Sequence, residues 1–124
     1  MQGPLKKILI ADDEALIVMN LEESLQRRGF EISGICGDAQ SAVNMARELK
    51  PDLVVMDIVM PGEKDGIEAC EIIQEELDIP VILLTAYGGE GNIKRAQHAS
   101  PSALLMKPCE SDHLALAIQV ALDQ

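Results

Sequence analysis

The sequence predicts an α/β protein built on a five-stranded parallel sheet with helices on both faces. Five short β-type runs each precede a helix-type segment, and strands separated by helices pair in parallel through right-handed crossovers. Two runs, Leu53-Val54-Val55-Met56 and Val81-Ile82-Leu83-Leu84, are apolar without interruption, as strands buried on both sides are. Hydrophobic residues make up 48% of the chain but aromatics only 2%, so the core is assembled from Ile, Leu, Val, Met and Ala. That composition suits layers of helix on sheet better than an aromatic-anchored sandwich.

The first strand is read as Lys7 to Ala11. Val18, Leu21 and Leu25 then form one helical stripe, closed by Arg27-Arg28-Gly29 as a basic last turn with a glycine stop. Glu31 to Ile35 is the second strand. Its helix carries Ala39, Ala42, Val43, Ala46 and Leu49 on one face, with Asp38 placed to cap the start and Pro51 just beyond the end. The third strand runs from Leu53 to Asp57, and Ala69, Cys70, Ile73 and Leu77 mark a helix that stops before Pro80. Val81 to Thr85 is the fourth strand, followed by a flexible run Gly88-Gly89-Glu90-Gly91 and a weakly amphipathic segment with Ile93, Ala96 and Ala99. Ala103 to Lys107 is the fifth strand, and Leu114, Ala117, Ile118, Ala121 and Leu122 stripe the last helix.

At 124 residues the chain, 1-124, is expected to be one domain, with no linker or repeat. A formal charge of -11 sets its surface against the nucleic-acid backbone, which argues against direct DNA binding. Cys36, Cys70 and Cys109 are odd in number and far apart, as befits free thiols in a reducing compartment. No apolar run approaches the ~18 residues that span a bilayer, and Met1 to Lys7 has no apolar signal core. The expected location is cytoplasmic, without membrane contact.

The ends of the strands carry the functional signal. In a parallel sheet all C-terminal ends share one edge, and ligands bind in the crevice there. Asp12 and Asp13 follow the first strand, Asp57 ends the third, Thr85 the fourth and Lys107 the fifth. With strands ~4.8 Å apart these groups converge on one small volume. Two like charges ~4 Å apart repel by about 4 kcal/mol at an effective dielectric of 20, and Lys107 supplies a single compensating charge. Carboxylate oxygens that leave room for water and a phosphate are what Mg²⁺ takes from a protein. With that ion bound, Asp57 is the candidate nucleophile toward phosphorus, and Lys107 and Thr85 suit the charge and hydroxyl needs of the transferred group. Glu14 reads as a helix start, complementing the dipole.

These residues resemble the receiver domain of two-component response regulators over essentially the whole chain. The matching pieces are Ile8-Leu9-Ile10-Ala11-Asp12-Asp13-Glu14, Val54 to Gly62, Asp65-Gly66, Leu84-Thr85-Ala86 and Lys107-Pro108. The resemblance implies a flavodoxin-like doubly wound sheet of order 2-1-3-4-5. It implies that Asp57 accepts a phosphoryl group from a sensor histidine kinase or phosphotransfer protein, with Mg²⁺ held by Asp12, Asp13, Asp57 and the Val59 backbone carbonyl. Thr85 and Lys107 would bind the phosphoryl group, and the Lys107-Pro108 peptide would be cis. Added charge would then bias the face formed by the fourth helix and fifth strand, toward an output domain, a partner or a second copy as a homodimer. Such a chain is a signalling phospho-acceptor and not an enzyme with a second substrate.

The chain departs from the family pattern at three places. Leu104 stands where an aromatic switch residue is usual, and Tyr87 is placed to cover the site instead. Cys109 replaces the phenylalanine common after Lys-Pro, and the Pro61 to Gly66 loop is one residue longer than the commonest version. Two rival readings fare worse. An aspartyl phosphohydrolase wants an acid two residues after its nucleophile, where this chain has Val59, and Gly34-Ile35-Cys36-Gly37 lacks the third glycine of a dinucleotide fingerprint. His98 and His113 have no partner ligands in the sequence.

Overall fold

In the computed structural model, which describes residues 5–86 and 90–123, the elements alternate as β1 (Lys7–Ala11), α1 (Ala15–Arg27), β2 (Glu31–Cys36), α2 (Ala39–Leu49), β3 (Leu53–Asp57), α3 (Gly66–Leu77), β4 (Val81–Thr85), α4 (Glu90–His98), β5 (Ala103–Met106) and α5 (Ser111–Leu122). The strands form one parallel sheet in the order β2-β1-β3-β4-β5. The predicted fold class and strand order are both found. Tyr87, Gly88 and Gly89, given roles in the sequence reading, lie outside the described residues.

Alternation along the strands divides the core in two. Ile8, Ile10, Leu53, Val55, Ile82 and Leu84 face α1 and α5, where Val18, Leu25, Leu114 and Ile118 meet them. Leu9, Ala11, Val54, Met56, Val81 and Leu83 face the other way, toward Ala42, Val43 and Ala46 of α2, Cys70 and Ile73 of α3, and Ala96 of α4. Every residue of β3 and β4 is buried, which their unbroken apolar runs require. Each fully buried Leu, Ile or Val contributes roughly 1.5–3 kcal/mol, so the sheet is anchored where the strands are most apolar.

Local signals set the helix ends. Asp38 caps α2 by accepting from the Ser41 N–H at 2.7 Å, and Lys50 closes the helix in the left-handed region at φ 48°. Asp65 and Glu68 form a capping box at the start of α3. Gly29, at φ 94°, supplies the turn after α1 that the sequence assigns to it.

Three boundaries differ from expectation. β2 continues to Cys36 because Ala11 of β1 is still there to pair with it. β5 stops at Met106, opposite Thr85, the last residue of β4. Lys107 therefore stands one residue beyond the strand, held by its N–H donating to the Thr85 carbonyl at 2.8 Å. Glu90 and Gly91, expected in a flexible run, are the first turn of α4. The helix forms despite the ~1 kcal/mol that glycine costs, with Ala96 fully buried in the core and Ala99 buried just past the last turn.

Candidate functional site

Among the described residues, the buried polar side chains gather at the C-terminal edge of the sheet. Among the described residues, the polar or charged side chains classed with the core are Asp12, Asp57 and Thr85, each at the end of, or just past, a buried strand. Asp12 and Asp13 follow β1, and the Asp12 N–H is still tied to the sheet through the Cys36 carbonyl at 2.9 Å. Asp57 is the last residue of β3, level with Leu84 of β4. One carboxylate oxygen from each of Asp12, Asp13 and Asp57 lies within 4.8 Å of the others. Asp12 and Asp57 are buried and Asp13 is exposed, so the cluster has two inner acids and one at its mouth.

Lys107 reaches into this cluster from beyond β5. Its Nζ lies 2.8 Å from Glu14 Oε1, 2.9 Å from Asp12 Oδ2 and 3.0 Å from Asp57 Oδ2. Burial pulls the ammonium toward its neutral form, but the contacts with Glu14, Asp12 and Asp57 outweigh it and hold Lys107 above its ordinary lysine value. Asp57 goes the other way: its burial dominates over the Lys107 contact and raises its carboxyl above the ordinary range, with the charge of Asp12 adding to the rise. One lysine against four acids leaves the cluster short of positive charge.

The geometry accommodates a cation. Asp12 Oδ1 accepts from the Glu14 N–H at 2.9 Å, but Oδ2, fully buried, receives no hydrogen bond; its approach to Lys107 is a charge contact alone. A buried carboxylate oxygen without a donor is costly, and a hard divalent ion ligated by oxygens would satisfy it. Three carboxylates within ligand distance of one another meet the donor chemistry of Mg²⁺.

The backbone of β3 and the following loop is pinned from below. The Gly66 N–H donates to the Ile58 carbonyl at 2.8 Å, and a Cβ at residue 66 would overlap the Asp57 carbonyl oxygen and lie 2.9 Å from Ile58 Cα. No residue but glycine fits there. Val59, two residues after Asp57, leaves its side chain 64% exposed.

The sequence places Thr85 at this edge, and the structure does so too, but without contact to the acids. Its hydroxyl makes one long hydrogen bond, 3.4 Å, to the Ala86 carbonyl, and none to Asp57 or Lys107. The Lys107-Pro108 peptide is cis, as the resemblance implies. Beside it, Cys109 lines a cavity of about 170 Å³ with Ile17, Leu21, Leu84 and Leu114, the light packing expected from a small residue at that corner. Leu104 is half-buried against the α2, α3 and α4 side of the core.

Glu14 is the residue whose part the sequence reading missed. It does stand at the N-cap position of α1, but its side chain makes no capping hydrogen bond and turns to Lys107 instead. Asp12 provides the local hydrogen bond that Glu14 was expected to provide. The partners Glu14 and Lys107 are 93 residues apart in sequence, so no spacing announces them.

The description Response regulator receiver domain matches residues 8–119 of the chain. This protein belongs to the response regulator receiver family. The transcriptional regulatory protein PdtaR of Mycobacterium tuberculosis is 43% identical over 119 residues, which cover 96% of this chain and 58% of PdtaR. The chemotaxis protein CheY of Thermotoga maritima is 33% identical over 114 residues, covering 91% of this chain and 94% of CheY. Among solved structures, the signal receiver domain of a modulated diguanylate cyclase from Desulfovibrio desulfuricans superposes with a TM-score of 0.91 at 28% identity, over 97% of this chain and 95% of that one. The receiver chain thus spans 58% of the length of PdtaR, a longer protein. Among the described residues, no helix of this receiver is long and apolar enough to cross a membrane.

Proposed function

We propose that this receiver domain accepts a phosphoryl group on Asp57, with Mg²⁺, from a sensor histidine kinase or a phosphotransfer protein. The observation that carries the reading is the meeting of Asp12, Asp13 and Asp57 within 4.8 Å beside a single lysine. The carboxylates of Asp12, Asp13 and Asp57 and the backbone carbonyl of Val59 would hold the ion. Bound there, Mg²⁺ would neutralise charge on the phosphoryl oxygens.

The remaining work falls to the chain. An Asp57 oxygen forms the O–P bond as the P–N bond of the donor phosphohistidine breaks, and the departing imidazole takes up a proton. The buried position of Asp57 removes competing water from the attacking oxygen. Lys107, already 3.0 Å from Asp57 Oδ2, pairs with the incoming phosphoryl oxygens. The Thr85 hydroxyl turns from the Ala86 carbonyl to donate to the same group, which draws the end of β4 inward. Up to two added negative charges then bias α4 and β5 between two arrangements, and output passes through that face to a further domain, a partner or a second copy. We read residues 1–124 as one such domain, acting in the cytoplasm, without enzymatic turnover of a second substrate and without direct contact to nucleic acid or membrane.

Incubation with Mg²⁺ and a small acyl phosphate donor should add one phosphoryl mass to the chain, and chelation should abolish it. An unchanged mass across all donor concentrations sinks the reading. Asp13→Asn should weaken Mg²⁺ binding tenfold or more, by roughly the 10–100-fold that disturbing a metal site costs; calorimetric titration measures it.

A further inference from the structure

Lys107 and a divalent ion want the same oxygens. Of the three carboxylates around Nζ, Asp12 and Asp57 belong to the trio whose oxygens lie within 4.8 Å of one another, and Glu14 does not. An ammonium resting on Asp12 and Asp57 alone would compete directly with any cation for them. The third partner of the ammonium is Glu14, at the outer side of the cluster, whose contact of 2.8 Å is the shortest of the three and whose side chain is 56% exposed. Glu14 is itself held in place: its N–H donates to Asp12 Oδ1 at 2.9 Å, and α1 makes no use of its carboxylate for capping.

We propose that Glu14 is a positioning residue for Lys107, sharing its ammonium so that Asp12 and Asp57 stay open to a divalent cation. The inference rests on the reading of this cluster as a Mg²⁺ site. Glu14 acts on the ion through Lys107 and not as a ligand. In Glu14→Gln the amide oxygen still accepts a hydrogen bond, but the ammonium charge falls back on Asp12 and Asp57.

Calorimetric titration with MgCl₂ of the unaltered chain, Glu14→Gln, Lys107→Met and the double variant tests this. Glu14→Gln should weaken Mg²⁺ binding about five-fold, the scale of a partly exposed ion pair. In the Lys107→Met background the same substitution should change affinity less than about two-fold, since the competitor it controls is gone. A five-fold loss that persists without Lys107 would mean that Glu14 acts by its own charge, and would overturn the proposal. Nitrogen NMR of the Lys107 ammonium, recorded without metal, gives a reading independent of the Lys107→Met fold: its resonance should move in Glu14→Gln, and an unmoved resonance also overturns it. If the unaltered chain binds no Mg²⁺, the metal reading itself fails; if it binds Mg²⁺ and Glu14→Gln binds equally well, only the role of Glu14 fails.

Discussion

At the N-terminal edge of the sheet, the Gln74 amide donates to the carbonyl oxygens of Ala99 and Ser100, each at 3.1 Å, and accepts from the Val81 N–H at 3.3 Å. Asp52 accepts there from the Lys7 N–H at 2.7 Å. At the C-terminal edge, Asp12, Asp57 and Glu14 converge on one ammonium, and a buried oxygen of Asp12 has no hydrogen-bond donor. Both edges belong to the same strands, so the contrast does not come from local structure. One edge closes its polar groups with neighbours and holds the fold together; the other leaves negative charge uncompensated, and that excess is what a cation can answer. Stability and function are therefore separable by edge, and substitutions should reveal it.

The largest expected effect is at Asp57. Asp57→Asn should abolish the phosphoryl adduct altogether, while thermal unfolding shifts little or upward, since one of the crowded charges is gone. A marked loss of stability would blur the contrast between the edges. Gly66→Ala comes next and tests whether the reactive edge also has a structural floor: the new Cβ would meet the Asp57 carbonyl and Ile58 Cα, so several kcal/mol of stability should be lost, by roughly the size seen when a core is overpacked. Denaturant titration measures it. Gln74→Ala, at the opposite edge, should cost roughly 1–3 kcal/mol by leaving backbone groups unpartnered, yet keep the adduct and the Mg²⁺ affinity unchanged. Loss of the adduct in that variant would break the separation.

The smallest effect is at Asp38, the cap of α2. Asp38→Ala should cost about 1 kcal/mol at neutral pH. The hydrogen bonds from Ser41 lower the Asp38 carboxyl below its ordinary 3.8, so its stabilising contribution is present above that value and fades as pH falls through the folded one. The difference between the variant and the unaltered chain should accordingly shrink in acid. Urea titrations at neutral pH and in acid would show it.

How much of this was legible beforehand differs by residue. β3 and β4 were readable to the residue, because an unbroken apolar run has no other use in a parallel sheet. Asp38 was readable as a cap because a cap acts on amides two or three residues away. Asp12, Asp13, Asp57 and Lys107 could be brought together on paper because strand ends share an edge in any parallel sheet. β5 ends one residue before the sequence pattern places its end, since that end depends on where the neighbouring strand stops. The start of α4 is not legible in the sequence because Gly91 argues against a helix locally, whereas the burial of Ala96 in the core argues for one at a distance.

By itself, then, the sequence determined the alternation of elements, the two-sided burial of the central strands and the set of residues at one sheet edge, all of which follow from periods of 2 and 3.6 and from short-range capping. Only the tertiary structure decided how the charges pair. That Asp12 and not Glu14 makes the local hydrogen bond, that Glu14 instead takes a share of Lys107, and that Thr85 rests against Ala86 away from the acids are all settled by side-chain reach. Reach depends on distances between strands far apart in the chain, and no periodicity in the sequence encodes it.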